Sequence, residues 1–222
     1  DGDGIVPFAG PGLGLVEPNP GFFGLADTGD TVDGLFYENP FHQRIYFSLD
    51  ADWVDPLEGF PVNSGTAATN GVAPGDILVY LPGSFPRSSV YAPYQKLGLG
   101  PKDDVDALIV HDNGNGLFDP SLWPWDWIPS AQTDMLLFSV RRGSPILGTL
   151  DTLLGLPIEE GDVLTVMNGG ATAPGILVPA ESLGLRTVRG GYKLPSGYAD
   201  DLNGMARPVD MAQQDHSCDP MP

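Results

Sequence analysis

Residues 103–110 read Asp-Asp-Val-Asp-Ala-Leu-Ile-Val, and shorter variants of this passage stand at 30–35 and 200–205. The variants are Asp-Thr-Val-Asp-Gly-Leu and Asp-Asp-Leu-Asn-Gly-Met. Upstream of each passage lies a Leu-Gly-Leu, at 13–15, 97–99 and 183–185. Passages that recur in a fixed order are typical of chains built from repeated structural units.

Two further motifs recur in the same order. A Gly-Asp dipeptide precedes an apolar run at 75–79 and at 161–164, and a related Asp-Gly-Ile-Val stands at 3–6. The runs Ile-Tyr-Phe-Ser-Leu at 45–49 and Leu-Leu-Phe-Ser-Val at 136–140 share one pattern. The repeated order therefore extends over most of the chain.

The aspartates of the Gly-Asp motifs define the units. Counted from them, the units are 3–75, 76–161 and 162–222, which is about two and a half copies. No linker-like stretch separates the units. We therefore expect one pseudo-symmetric β domain over residues 1–222.

Short apolar or alternating runs bounded by Gly, Pro, Asp or Asn indicate β-strands. Such runs lie at 45–49, 76–81, 105–110, 135–140 and 163–167. The strongest helical patterns, 144–156 and 179–185, are short and interrupted by Gly or flanked by Pro. The sequence predicts an all-β fold of internally repeated short-strand units, sandwich-, barrel- or propeller-like, with long loops and little helix.

The charge of the chain limits its partners. Ten Lys and Arg face 29 Asp and Glu, for a formal net charge of −19. Such a surface is repelled by nucleic-acid backbones and anionic membrane faces, and no apolar run is long enough for membrane insertion. High acidity and many Asp-Gly and Asn-Gly turns favour a secreted or cell-surface location rich in calcium.

Three acidic clusters predict bound Ca²⁺, because alternating carboxylate and amide oxygens around a Gly are ligands that calcium prefers. They comprise Asp1 and Asp3; Asp50, Asp52 and Asp55; and Asp112, Asn113, Asn115 and Asp119. The last cluster resembles the calcium loop of dockerin-type modules, with His111 in place of the first aspartate. Ordinary turn residues exposed to solvent are the alternative for all three.

Trp123, Trp125 and Trp127 lie close together in a proline-rich stretch at 117–133. One interpretation is a lid whose indoles cover the end of the β core. The other is a platform for a sugar or an apolar ligand, because alternate positions point the same way.

No residue is assigned a catalytic role. The chain has no Gly-x-Ser-x-Gly, His-Glu-x-x-His, phosphate-binding loop or Cys-x-x-Cys. In an extended strand Asp104 and Asp106 share one face, and the first of these recurs as Asp201. Because a repeated residue does not suit a single active site, we expect the repeated aspartates to bind backbone N–H groups, cap turns or line an axis.

The order of these motifs over residues 1–206 resembles that of secreted bacterial β-repeat proteins, a group to which no activity is attached. The resemblance implies an extracellular, all-β protein. The leading hypothesis is a secreted, non-enzymatic protein for binding, adhesion or extracellular self-assembly, stabilised by calcium. The alternative is a hydrolase acting on carbohydrate, with Asp residues as acid and base and the Trp stretch as platform.

An open strand edge is expected as well, because the last unit has no Phe-Ser strand. Either the tail at 206–222 or a neighbouring chain would cover this edge. The second case predicts self-association.

Overall fold

Ten strands and two 3-10 helices are the elements with described bounds. The computed structural model describes residues 32–37, 44–49, 53–54, 61–62, 67, 70–81, 88–123, 132–167, 173–191, 199–202 and 204–205. The predictions of an all-β chain and of its five strands are confirmed within these ranges.

The first sheet is antiparallel, and its strands lie in the order β1-β2-β5-β6. They are β1 (Val32–Tyr37), β2 (Ile45–Leu49), β5 (Ile77–Tyr80) and β6 (Ser88–Ala92). Between β2 and β5, β3 (Trp53–Val54) and β4 (Pro61–Val62) form a separate pair. A 3-10 helix, Tyr94–Leu97, follows β6.

The second sheet is antiparallel in the order β10-β9-β8-β7. Its strands are β7 (Val105–His111), β8 (Met135–Val140), β9 (Val163–Thr165) and β10 (Gly175–Val178). The second 3-10 helix, Ala180–Leu183, follows β10. Both sheets are therefore open four-stranded meanders in which each new strand pairs with the one before it in the sheet.

Strand registers agree between the two sheets. Across the first sheet, one row of paired residues is Leu35, Phe47, Leu78 and Val90. The corresponding row in the second sheet is Leu108, Phe138, Leu164 and Ile176. Bulges fall at matching places too, after Val32 in β1 and after Val105 in β7.

One large apolar cluster lies between the sheets. The first sheet contributes to this cluster the face that carries Tyr46 and Val79. The second sheet contributes the face that carries Leu136 and Phe138. A smaller cluster, with Phe47 at its centre, lies on the other face of the first sheet. The two sheets thus share one core, which supplies the main hydrophobic stabilisation.

The Gly-Asp motif begins the third strand of each sheet and joins it to the following 3-10 helix. The carboxylates of Asp76 and Asp162 each accept two backbone N–H groups, one of them the first N–H of that helix. The donors are Ala73 and Tyr94 (both 2.8 Å) for Asp76, and Glu159 (2.9 Å) and Ala180 (2.8 Å) for Asp162. These bonds satisfy amides that otherwise have no partner at a helix start.

Glycine is required before each of these aspartates. A Cβ on Gly161 would lie 2.9 Å from the Asp200 carbonyl oxygen, and one on Gly75 would lie 3.0 Å from the Asp103 carbonyl oxygen. In the two described Leu-Gly-Leu motifs the glycine has a positive φ, 74° at Gly98 and 80° at Gly184, and ends the 3-10 helix. Both motifs are therefore explained by backbone geometry.

We call the repeated aspartate-containing stretches at 30–35, 103–110 and 200–205 the acidic passages. The serine of each Phe-Ser strand, β2 and β8, binds the start of the acidic passage that follows it in the chain. Ser48 Oγ donates to the Val105 carbonyl oxygen at 2.7 Å, and Ser139 Oγ donates to the Leu202 carbonyl oxygen at 2.7 Å. Residues 200–202 thus lie on the second sheet as 103–105 lie on the first. Met205 packs against the shared core.

In the two passages whose first aspartate is described, Asp103 and Asp200 also bind backbone N–H groups, as expected for repeated aspartates. Asp103 Oδ2 accepts the Gly100 N–H at 2.6 Å, and Asp200 Oδ2 accepts the Arg186 N–H at 2.9 Å. Asp104, the second aspartate, is buried with the Arg141 guanidinium 3.8 Å away. The bulge after Val105 interrupts the simple alternation predicted for Asp104 and Asp106.

Strand pairing crosses the predicted unit boundaries. The Gly-Asp strand of the last unit, β9, has partners on both sides, because it lies between β8 and β10. Each sheet joins the Phe-Ser strand of one predicted unit to the Gly-Asp strand of the next, so the sheets do not follow the boundaries at 75/76 and 161/162. The predicted covering tail at 206–222 lies outside the described residues.

The candidate helical pattern at 144–156 does not form a helix, in keeping with the little helix expected from the sequence. The segment forms turns, with φ of 80° at Gly148 and 67° at Gly155. Asp151 organises these turns by accepting the N–H groups of Leu153, Leu154, Leu156 and Ile176 at 2.6–3.1 Å. Burial opposes ionisation of Asp151, but these backbone N–H bonds lower its pKa. Within the described ranges, no helix has the length and apolar character needed to cross a membrane.

Candidate functional site

The connection between β7 and β8 is the candidate site, and we call residues 112–134 the long loop. Its counterpart in the first sheet, between β1 and β2, covers only 38–44. Four predicted calcium ligands and all three clustered tryptophans lie in it. The structure describes it from 112 to 123 and from 132 to 134.

Asp112 ties the start of the long loop to the first sheet. Its Oδ1 accepts the Gly114 N–H at 2.7 Å, and its Oδ2 accepts the Tyr46 hydroxyl at 2.6 Å and the Arg44 guanidinium. Arg44 also donates to the Gly114 carbonyl oxygen at 3.0 Å. Burial opposes the charge on Arg44, but hydrogen bonds to Tyr46 and Asp112 raise its pKa.

The remaining predicted ligands form a chain of turns. Asn113 Oδ1 accepts the Asn115 N–H at 2.9 Å, and Asn115 Oδ1 accepts the Leu117 N–H at 2.7 Å. The Asn115 side-chain amide donates to Asp119 Oδ2 at 2.6 Å. Such side-chain-to-backbone bonds are typical of Asx turns.

These residues are brought together, but each of their oxygens named above already accepts an N–H or O–H group. Within the ranges that the structure describes, no group of three or more His, Cys, Asp or Glu is arranged to hold a metal ion. The other predicted ligands, Asp1, Asp3, Asp50, Asp52 and Asp55, lie outside those ranges.

Asp134 closes the long loop, a role that no local sequence pattern indicates. Its two carboxylate oxygens accept the N–H groups of Asn113 (2.7 Å) and Asp119 (2.8 Å). Its own N–H donates to the Asp119 carbonyl oxygen at 2.6 Å. Burial raises the pKa of Asp134, and the nearby Asp112 charge adds to this effect.

Aromatic packing fixes the middle of the long loop. The buried Phe118 ring lies 5.8 Å from the Tyr91 ring, which meets the Tyr46 ring edge-on at 4.9 Å between centroids. Lys96 Nζ donates to the Phe118 carbonyl oxygen at 2.8 Å. Burial and the carboxylates of Asp134 and Asp112 raise the pKa of the Tyr91 hydroxyl far above its usual value.

Three large apolar side chains of the long loop face solvent. Trp123 is 70% exposed, Leu117 63% and Leu122 61%. Ser121 holds the backbone here, since its Oγ donates to the Trp123 carbonyl oxygen at 2.8 Å and accepts the Trp123 N–H at 3.1 Å. Trp123 therefore does not cover the core as a lid, whereas Trp125 and Trp127 lie outside the described residues.

A second polar cluster lies in the second sheet, where the start of β9 meets the 3-10 helix Ala180–Leu183. Arg189 binds both oxygens of Asp162, at 2.9 and 2.7 Å, and Glu181 at 3.0 and 2.7 Å. Hydrogen bonds from Arg189 lower the pKa of Glu181 to about 2. The sequence patterns do not indicate a role for Arg189, because its partner Asp162 is 27 residues away in the chain.

Comparison with protein families, with curated proteins and with solved structures finds no match to this chain.

Proposed function

We propose that the protein is a secreted, non-enzymatic β-repeat protein that works in binding, adhesion or extracellular assembly. The observation that carries this proposal is the long loop, which holds Leu117, Leu122 and Trp123 out to solvent on a buried support. Exposed apolar groups on a fixed backbone are typical of binding surfaces, because little conformational entropy is lost on contact.

The repeat part of the proposal is supported by equivalent contacts. The two sheets share strand order, register and bulge positions, and the Asp76 and Asp162 carboxylates bind equivalent amides. Residues 200–202 begin a further copy of the same contact with the preceding sheet. We infer that each unit packs on the one before it, so that assembly by stacking or by strand edges fits this architecture.

The non-enzymatic part is supported by what the carboxylates do. Those of Asp76, Asp103 and Asp162 accept backbone N–H groups, and Asp112 and Asp134 fix the long loop. These are structural roles. High net negative charge and resemblance to secreted β-repeat proteins support the extracellular location.

A carbohydrate hydrolase is the second candidate, and the exposure of Trp123 favours its substrate platform. An enzyme of this class needs a pair of carboxyl groups, one of them protonated at neutral pH. Burial raises the pKa of Asp134, so this residue is the candidate for the protonated carboxyl group among the described residues of the long loop. Its two backbone hydrogen bonds support the structural role instead.

The binding surface is tested by the triple variant Leu117→Ser, Leu122→Ser, Trp123→Ser. We expect it to lose roughly tenfold or more in retention on polysaccharides or bacterial surfaces that bind the wild type, since exposed aromatic anchors dominate such contacts. Its melting temperature should stay within a few degrees of wild type, because exposed substitutions change stability little. Labelled protein is measured in pull-down against a panel of insoluble polysaccharides and cell walls.

The matched control is Val90→Ser with Leu154→Ser, two exposed apolar residues outside the long loop. It should bind as the wild type does. Equal loss in the control, or retention by the triple variant, would contradict the assignment of the surface. Release of soluble sugars that stops in Asp134→Asn would instead establish the hydrolase.

Structural calcium is proposed for the clusters Asp1–Asp3 and Asp50–Asp55, whose residues other than 53–54 lie outside the described ranges. A cation that binds the folded state raises stability in proportion to the logarithm of its concentration over its Kd. We expect a rise of several degrees in melting temperature on going from chelator to about 1 mM Ca²⁺.

Scanning calorimetry with Mg²⁺ as the control cation checks this expectation. Replacement of Asp52 and Asp55 by Asn should abolish the rise if that cluster binds the ion. Identical midpoints in chelator and in calcium would remove calcium from the proposed function.

A further inference from the structure

The second sheet carries a pocket where the two sheets cease to be equivalent. After the 3-10 helix, the first sheet connects to its acidic passage through 100–102, whereas the second uses the longer segment 186–199. That segment contributes Val188 and Arg189 to the pocket. In a chain of equivalent units, a departure of this kind, like the long loop, is where a unique site can form.

The pocket has a volume of about 380 Å³, in the range of small-molecule sites. Its walls are mostly apolar and come from Leu147, Pro157, Ile158 and Val188. Gly148, which has no side chain, also lines the pocket. The polar lining residues are Glu159, Glu160 and Arg189.

Two of these polar residues are engaged in holding the pocket together. The five guanidinium N–H groups of Arg189 donate to Asp162, Glu181 and the Pro157 carbonyl oxygen. Both oxygens of Glu159 accept backbone N–H groups, those of Val188 (2.7 Å) and Arg189. The Arg189 guanidinium and the Glu159 carboxylate are therefore already bonded within the protein and are not available to a ligand.

Glu160 differs from them. It is only 9% exposed, and the charge of the nearby Arg142 guanidinium acts on its carboxylate. Burial raises its pKa, and the charges of Asp201 and Glu159 add to this effect. A cationic group of a ligand placed against Glu160 would offset the cost of burying the Glu160 charge. It would also offset the repulsion from Asp201 and Glu159.

Charge around the pocket also favours a cation. The groups that interact with one another around the pocket comprise five carboxylates, Glu159, Glu160, Asp162, Glu181 and Asp201, against three guanidinium groups, Arg141, Arg142 and Arg189. The whole chain has a formal charge of −19, which adds long-range attraction for cations.

We propose that this pocket binds a small organic cation, in which an ammonium group pairs with Glu160 and an apolar body contacts Leu147, Ile158 and Val188. The site is separate from the long loop and does not depend on its function. Its recognition combines a charge-assisted hydrogen bond with burial of apolar surface.

The test uses three probes of one size: phenethylammonium, phenethyl alcohol and phenylpropionate. Titration calorimetry at low salt should give a Kd on the order of millimolar or better for the ammonium. The neutral alcohol should bind roughly tenfold more weakly, because it lacks the charge-assisted bond. The carboxylate should not bind measurably.

Two variants locate the binding. Glu160→Gln should weaken ammonium binding roughly tenfold while leaving the affinity for the alcohol unchanged. Val188→Trp, at a 57% exposed position, should fill the pocket and abolish binding of both probes. The controls are Asp119→Asn, which removes a negative charge elsewhere, and Val90→Trp, which adds an exposed indole elsewhere.

Full ammonium affinity in Glu160→Gln, or in Val188→Trp, would overturn the proposal. So would equal affinities for the three probes. Because Val188 is exposed, its variant keeps the test decisive even if Glu160→Gln does not fold.

Discussion

Replacing Asp162 by alanine is expected to lower the free energy of unfolding by about 3–5 kcal/mol. The carboxylate is fully buried and accepts the Glu159 and Ala180 N–H groups and two bonds from Arg189. Its removal leaves two buried amides without acceptors and leaves Glu181 as the one carboxylate partner of Arg189 in the part of the chain that the structure describes. Unsatisfied buried groups cost more than the bonds themselves contribute.

The first sheet provides a matched control for this variant. Asp76 accepts the equivalent N–H groups of Ala73 and Tyr94, both at 2.8 Å, and the described structure gives it no arginine partner. Asp76→Ala should therefore cost about 2 kcal/mol, less than Asp162→Ala. Urea denaturation of both variants at neutral pH measures the difference. Equal losses would show that Arg189 adds nothing to the second sheet.

Replacing Phe138 by alanine should also cost about 3–5 kcal/mol. The ring is fully buried in the cluster between the two sheets, and Phe138 pairs with Leu108 on one side and Leu164 on the other. Truncation removes apolar burial and leaves a cavity that strands on both sides prevent from closing. The free energy of unfolding is again read from urea denaturation.

Leu137→Ala is the control for Phe138, because it lies in the same strand and is only half-buried where it packs against the same cluster. It should cost about 1 kcal/mol. Phe138→Leu, which retains much of the volume, should cost less than Phe138→Ala. A similar loss in Leu137→Ala and Phe138→Ala would contradict the placement of the main core between the sheets.

Local features of the chain were predictable from sequence. The strands at 45–49, 105–110 and 135–140 were predicted because alternation, β-branched residues and turn residues act over a few neighbours. The structural role of the repeated aspartates was predictable too, since a repeated residue does not suit a single catalytic site.

Long-range partners were not predictable in the same way. Asp134 fixes Asn113 and Asp119 across the long loop, and Arg189 reaches back to Asp162. No local pattern specifies such pairs, because the chain must first form the sheets that bring them together. The helical pattern at 144–156 did not indicate the turns found there, in which Asp151 binds three backbone amides of the segment and the Ile176 amide of β10.

The sequence by itself determined the all-β class and the order of the repeated motifs, since both depend on short-range patterns. Only the tertiary structure decided that each Gly-Asp strand pairs with the preceding Phe-Ser strand, which moved the sheets off the predicted unit boundaries. It also decided that Asp112 pairs with Arg44 and Tyr46 while Trp123 faces solvent. These outcomes depend on which faces are buried together, and burial is a property of the assembled sheets and not of any one segment.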